Sequence, residues 1–187
     1  TYGDWSSDVC SSDLIYGDVV EEIDWSVGEI VAALNRTGAA SNTLVMFSSD
    51  NGPWYQGSPG KLRGRKGSTW EGGQRVPFIA KFPGRIPKNK VSHGVGSVMD
   101  VLPTVAKLVG ATPQNPTDGI DIWPMLSGTK PDVEREALLY FDNMDLQCAR
   151  LGKWKLHVAR HNNQVYNPAP VGGRVNLPLA RPELYNV

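Results

Sequence analysis

The sequence predicts an α/β fold followed by a smaller antiparallel-sheet unit, and three observations carry the prediction. A stretch of helical periodicity runs directly into a short apolar run, which is half of an α/β unit. A second apolar run follows a long glycine-rich loop. Beyond Pro131 the helical spacing gives way to short strand-like runs, two of which alternate about a glycine turn. With 187 residues, 40% of them hydrophobic, and 6 Trp, 6 Tyr and 4 Phe, the chain has the core material of a globular protein.

Residues 1–14, rich in Ser and Asp, show neither helical nor strand period and read as a tail. The run WSSDVCSSDL resembles translated sequencing-adapter read-through, so native sequence is expected to begin near Ile15. From there Ile15, Val19, Val20, Ile23, Val27, Ile30, Val31 and Leu34 recur at spacings of three and four, one face of an amphipathic helix. Asn35-Arg36-Thr37-Gly38 stops it. Thr43 to Ser48 is an unbroken apolar run between turn residues, which predicts a buried, parallel strand. A loop to Arg75 follows, then a second apolar run from Val76 to Phe82. Met99 to Gly110 reads as a short helix with Asp100 as N-cap, Pro103 in its first turn and Gly110 at its end. A turn-rich connection continues to Gly128. Ala137–Phe141, Leu146–Leu151 and Lys153–Val158 then read as strands, the last two joined at Leu151-Gly152. In this hairpin Trp154, Leu156 and Val158 alternate with Lys153, Lys155 and His157, which points His157 toward solvent. Residues 159–182, with four prolines, read as a loop, and Glu183 to Val187 stops as a new apolar run begins, so the chain reads as cut there.

Charge excludes some functions and suggests others. Lys and Arg number 19 against 19 Asp and Glu, and a net charge of zero argues against nucleic-acid binding by bulk charge. The distribution is uneven: residues 1–60 hold Arg36 against nine acidic residues, whereas residues 61–90 hold nine basic residues against Glu71. Such a local basic block suits an anionic ligand or a solvated basic face. No apolar run reaches the roughly 18 residues of a membrane span. Cys10 and Cys148 are too few for a disulfide framework or a metal cluster. Asn35-Arg36-Thr37 fits the glycosylation pattern, which arises often by chance.

Two clusters could carry chemistry. Asp50-Asn51-Gly52 contains a hairpin dipeptide, but Pro53 and a glycine-rich loop follow where a second strand is needed. The alternative is a carboxylate beside an amide oxygen at a strand's carboxyl end, hard-oxygen ligation suited to Ca²⁺ or Mg²⁺. These two residues fall short of the six to eight oxygens that Ca²⁺ takes. Downstream, Lys61, Arg63, Arg65 and Lys66 lie among Gly60, Gly64 and Gly67, where backbone amides can approach an anion closely. On composition alone the four are equal candidates for contacting sulfate or phosphate, and a flexible basic loop is the plainer reading. His93, His157 and His161 show no ligand spacing, and neither cysteine has an adjacent base.

The stretch GDVVEEIDWSVGEIVAALNRTGAASNTLVMFSSDNGPW, followed by KLRGRKGSTWEGGQRVPFIAKFPGRI, resembles the second half of the catalytic domain of the type I, formylglycine-dependent sulfatases of the arylsulfatase A group. MDVLPTVAKLVGA and DGIDIWPMLSG are similar to the connection that follows, and CARLGKWKLHV with ELYNV to that family's carboxyl-terminal subdomain. The resemblance implies an alkaline-phosphatase-like α/β sandwich, catalytic over 15–130, and a truncated antiparallel subdomain over 131–187. It implies a divalent cation, usually Ca²⁺, held in part by Asp50 and Asn51, and Lys66 contacting the sulfate of a small-molecule or carbohydrate sulfate ester. The family's nucleophile, a formylglycine made within Cys or Ser followed by x-Pro-x-Arg, and its upstream Asp pair are absent from this sequence. The expectation is an inactive carboxyl-terminal part of a periplasmic, secreted or lysosomal sulfatase. Two alternatives are a phosphate or phosphonate monoester hydrolase of the same superfamily and a non-catalytic module binding sulfated glycans.

Overall fold

The computed structural model describes residues 12–54, 56–142, 144–161 and 176–187. Helix α1 spans Ser12–Arg36 and so begins a turn ahead of Ile15. Its end follows the sequence signal: Thr37 N–H and Oγ1 both donate to Ala33 O at 3.0 Å, and Gly38 takes a positive φ of 72°. Its amino-terminal apolar stripe of Ile15, Val19, Val20 and Ile23 is exposed.

Strand β1 (Val45–Ser48) is where the expected run lies, but its direction differs from expectation. It pairs with β2 (Phe78–Lys81) in antiparallel register, Val45 opposite Lys81 and Ser48 opposite Phe78. The strand is also less buried than a continuous apolar run implies, with Phe47, Phe78 and Ile79 exposed. The reason is the intervening chain, which returns to lay β2 beside β1 in the opposite sense. An antiparallel pair can leave one face open, as parallel sheets rarely do. The returning chain includes α2, a single turn over Glu71–Gln74.

The next helix, α3 (Val101–Leu108), is entered through a 3₁₀ turn at Val98–Asp100. Asp100 stands at the N-cap position of α3 but its side chain makes no cap bond there; the side-chain cap is made one turn earlier, where the Ser97 hydroxyl accepts from Met99 N–H at 3.4 Å and Asp100 reaches back to accept Ser97 N–H at 2.7 Å. This reciprocal box moves Asp100 inward to the third position, where it is fully buried. Its carboxylate also accepts Ile120 N–H at 2.9 Å and pairs with Arg135. Thr104 Oγ1 accepts Ile122 N–H at 2.9 Å, and α4 (Trp123–Leu126) sets Trp123 edge-on to Phe82. Phe82, Ala106, Ile122 and Met125 form the apolar part of this core.

The carboxyl-terminal unit is a four-stranded antiparallel sheet in chain order: β3 (Leu138–Asp142), β4 (Asp145–Leu151), β5 (Trp154–His161) and β6 (Asn176–Asn186). The β4–β5 hairpin turns at Gly152, φ 55°, as the sequence indicates. Two corrections apply. The segment expected as a loop over 159–182 contributes the end of β5 and most of β6, and Pro178 and Pro182 are tolerated because β6 is an edge strand. The facing of β5 is the reverse of expectation: Lys155 and His157 are 1% and 0% exposed, while Trp154, Leu156 and Val158 face outward. Lys155 is buried because an acidic residue meets it, and His157 because its ring stacks on Trp70 at 4.2 Å.

Candidate functional site

The site is built where β1 ends. Ser49, Asp50 and Asn51 form a bend held by Ser49 Oγ donating to Asn51 O at 2.9 Å, and Gly52 follows. No hairpin forms here, since the partner of β1 arrives only at Phe78. Instead Gly52 N–H donates to Gly73 O at 2.9 Å, docking the acidic bend onto α2. A Cβ on Gly52 would lie 2.8 Å from Gly72 C and 2.9 Å from Gly73 Cα, so only glycine fits.

The basic loop is tied to the same bend. Lys66 N–H donates to Pro53 O at 3.0 Å, and Gly72 N–H to Arg63 O at 2.7 Å. Gly60, Gly64 and Gly67 all take positive φ, between 63° and 85°, which lets the loop curl over the strand end. The structure separates the four basic residues that composition leaves equal. Arg65 is spent on the carbonyls of Trp54, at 2.8 Å, and Gly57. Arg63 lies over the Trp70 ring, 3.8 Å from its centroid. Lys61 and Lys66 are exposed, and the charge of Lys66 acts on Asp50 in the acidic bend.

Asp50 is exposed, and its carboxyl group is held below the usual carboxylate range. Partial loss of solvent pushes it upward, but the Asn51 side chain, local backbone amides and the Lys66 charge together outweigh that. The group therefore stays ionised, as a cation ligand must. An ionised carboxylate beside an amide oxygen fits a hard divalent cation, and Asp50 and Asn51 would hold it. No group of three or more acidic, His or Cys side chains suited to a metal occurs among the described residues.

Behind the loop lies a cluster that the sequence reading did not single out. Glu71, buried, accepts from Arg150 Nη1 at 2.6 Å and from Lys155 Nζ at 2.9 Å. Lys155 Nζ also donates to Thr69 O at 2.6 Å and sits 4.0 Å from the centre of the Tyr140 ring. One signal was available: Glu71 is the lone acid in the basic block of residues 61–90. Cys148, fully buried against Thr69 O, has its thiol pushed up mainly by burial, which makes it inert as a nucleophile. Cys10 lies outside the described residues, as does the side chain of His161. His93 is exposed.

The same cluster governs Tyr140, whose hydroxyl is pushed up to about 12 by burial first and by the Glu71 charge second. The folded value lies above the ordinary 10.0. Stability from this group is therefore complete below pH 10 and is lost as pH rises through 12. Wild-type protein should lose about 2 kcal/mol relative to Tyr140→Phe over that window, measured by denaturant unfolding at pH 9.5 and pH 12. Parallel stability curves would show that Tyr140 ionises freely.

The fold is the alkaline-phosphatase-like α/β fold of the sulfatases. The PsFucS1 sulfatase of Pseudoalteromonas sp. superposes with a TM-score of 0.79 at 31% identity, over 90% of this chain and 35% of its own. The structure of Ps i-CgsB in complex with k-i-k-neocarrahexaose superposes with a TM-score of 0.70 at 31% identity, over 86% of this chain and 36% of its own. The Sulfatase family model matches residues 7–111, and the chain belongs to the sulfatase family. Among curated relatives, steryl-sulfatase of Mus musculus is 42% identical over 72% of this chain, and N-acetylgalactosamine-6-sulfatase of Sus scrofa 43% identical over 76%. Arylsulfatase A of Homo sapiens is 37% identical over 82%. The chain spans 24% to 33% of the length of these relatives. No described helix is long and apolar enough to cross a membrane.

Proposed function

We propose that this chain provides the cation-binding and sulfate-binding loops of an enzyme that hydrolyses sulfate esters to an alcohol and sulfate. The observation that carries the reading is the joining of the Asp50–Asn51 bend to the Lys66 loop through the Gly52–Gly73 and Lys66–Pro53 backbone bonds. Asp50 and Asn51 would hold a hard divalent cation, Ca²⁺ by the resemblance to the family and Mg²⁺ equally by the chemistry of their oxygens, which when bound would polarise the sulfate as a Lewis acid. Lys66 places a fixed positive charge beside the sulfate oxygens, where negative charge grows as the ester bond breaks. Its ammonium is a point charge on a flexible stem, suited to following those oxygens.

No Cys or Ser followed by x-Pro-x-Arg occurs in the 187 residues. The nucleophile, a formylglycine, is assigned to the remainder of the full-length protein, and these residues alone bind without turnover. The substrate class is a small-molecule or carbohydrate sulfate ester, in a periplasmic, secreted or lysosomal setting. The test is an assay of the full-length protein on matched aryl sulfate and aryl phosphate esters, with Ca²⁺ and with a chelator. Sulfate turnover lost on chelation is expected. Faster phosphate turnover would assign it to the phosphate monoesterases of the superfamily, and sulfated-glycan binding without turnover would make it a binding module.

A further inference from the structure

We propose that Glu71, Arg150 and Lys155 are positioning residues through which the carboxyl-terminal sheet sets the spacing between Asp50–Asn51 and Lys66; this rests on the reading of those three as ligand-binding residues. Arg150 and Lys155 stand directly opposite each other on β4 and β5. Like charges in such a cross-strand pair repel. Both point inward here, onto the two oxygens of one carboxylate, at 2.6 and 2.9 Å. An ion cluster this buried is commonly replaceable by apolar side chains with no loss of stability, so bulk stability does not account for it. What it does fix is orientation. The fork of Glu71 oxygens, with the Thr69 carbonyl on Lys155 Nζ, leaves segment 69–71 one way to lie on the sheet.

That segment is the hub of the site. One residue on, Gly72 N–H holds Arg63 O at 2.7 Å, which anchors the start of the Lys66 loop. Two residues on, Gly73 O receives Gly52 N–H at 2.9 Å, which anchors the acidic bend. No side chain intervenes at either joint: a Cβ on Gly72 would sit 2.7 Å from Arg63 O. A shift of Glu71 is therefore passed by backbone contact to both loops at once. Trp70, between Arg63 on one side and His157 on the other, adds a second attachment of the same segment to β5.

The test is peptide-resolved hydrogen exchange of the full-length protein without substrate, comparing wild type with Lys155→Met and Arg150→Met in parallel. Each variant should speed exchange at the Gly52 and Lys66 amides about tenfold or more, with the Val109 amide, which caps the end of α3 by donating to Val105 O, unchanged. Lys155→Arg, which keeps the charge, should restore much of the protection. Arg150 retains some solvent contact, so Arg150→Met keeps the question answerable should Lys155→Met fail to fold. Unchanged exchange at Gly52 and Lys66 in a folded variant would overturn the proposal, as would uniform acceleration that includes Val109. Failure of the functional reading shows elsewhere, as wild-type protein that protects both amides and yet hydrolyses no sulfate ester.

Discussion

Lys66→Ala in the full-length protein is expected to lower kcat/KM for an aryl sulfate by about 10²- to 10³-fold, the usual cost of removing one fixed group from a site of developing charge. The loss should fall mainly on kcat, because an ammonium beside the sulfate interacts more strongly as negative charge grows in the transition state. Stability should barely change, since Lys66 is exposed and its structural bond, to Pro53 O, is made by the backbone. Lys66→Arg keeps the charge but replaces a compact donor by a wide planar fork, and should recover only part of the rate. Lys88→Ala, from the same basic block but in the turn after β2, is the control and should match wild type. Equal rates for Lys66→Ala and the control would remove Lys66 from the site.

Gly52→Ala is expected to damage both stability and rate. The atoms a new Cβ would meet are all backbone, Gly72 C at 2.8 Å, Gly73 Cα at 2.9 Å and Gly72 O nearer still. None is the end of a flexible side chain that could swing aside. Overpacking of this kind costs about 1–3 kcal/mol, and relief requires the acidic bend and α2 to separate. A displacement of about 1 Å at a catalytic centre commonly costs about 100-fold in rate, so turnover should fall more than the melting temperature implies. Gly38→Ala makes the comparison: Gly38 has φ 72° with no heavy atom within 4 Å of a Cβ, and should cost about 1 kcal/mol with no effect on rate. Wild-type turnover in Gly52→Ala would show that the Gly52–Gly73 joint does not position Asp50.

What the sequence discloses here is what depends on near neighbours. The three-and-four spacing of α1, its stop at Gly38 and the β4–β5 hairpin at Gly152 are local patterns, and each stands in the structure. The fold class and the family follow from motifs in order. The direction of β1 was not legible, because an apolar run records burial and not the sense of the partner strand. Nor was the inward facing of Lys155 and His157. Alternation tells which residues share a face, but choosing the buried face by polarity fails when a distant acid neutralises the lysine. Glu71 lies 84 positions from Lys155. Asp100 was legible as the N-cap position of α3, but not its use: its carboxylate closes the Ser97 box of the preceding 3₁₀ turn and makes no cap bond to α3. For the candidate site, Asp50, Asn51 and Lys66 could be marked from sequence, whereas the parts that join them are glycine contacts and a carboxylate shared by two cations.

The prolines of β6 bear on how this protein behaves in a crowded solution. A sheet's last strand ordinarily offers a free ladder of donors and acceptors, and a second molecule can add to it as readily as a native neighbour. Pro178 and Pro182 interrupt that ladder, since a proline nitrogen has no hydrogen to give. The sheet meanwhile carries a row of outward apolar residues across all four strands, Leu139, Ala149, Leu156 and Leu184. A second molecule meeting that apolar face finds the β6 rim beside it short of donors, so any strand pairing is directed to the other edge, β3, which carries no proline.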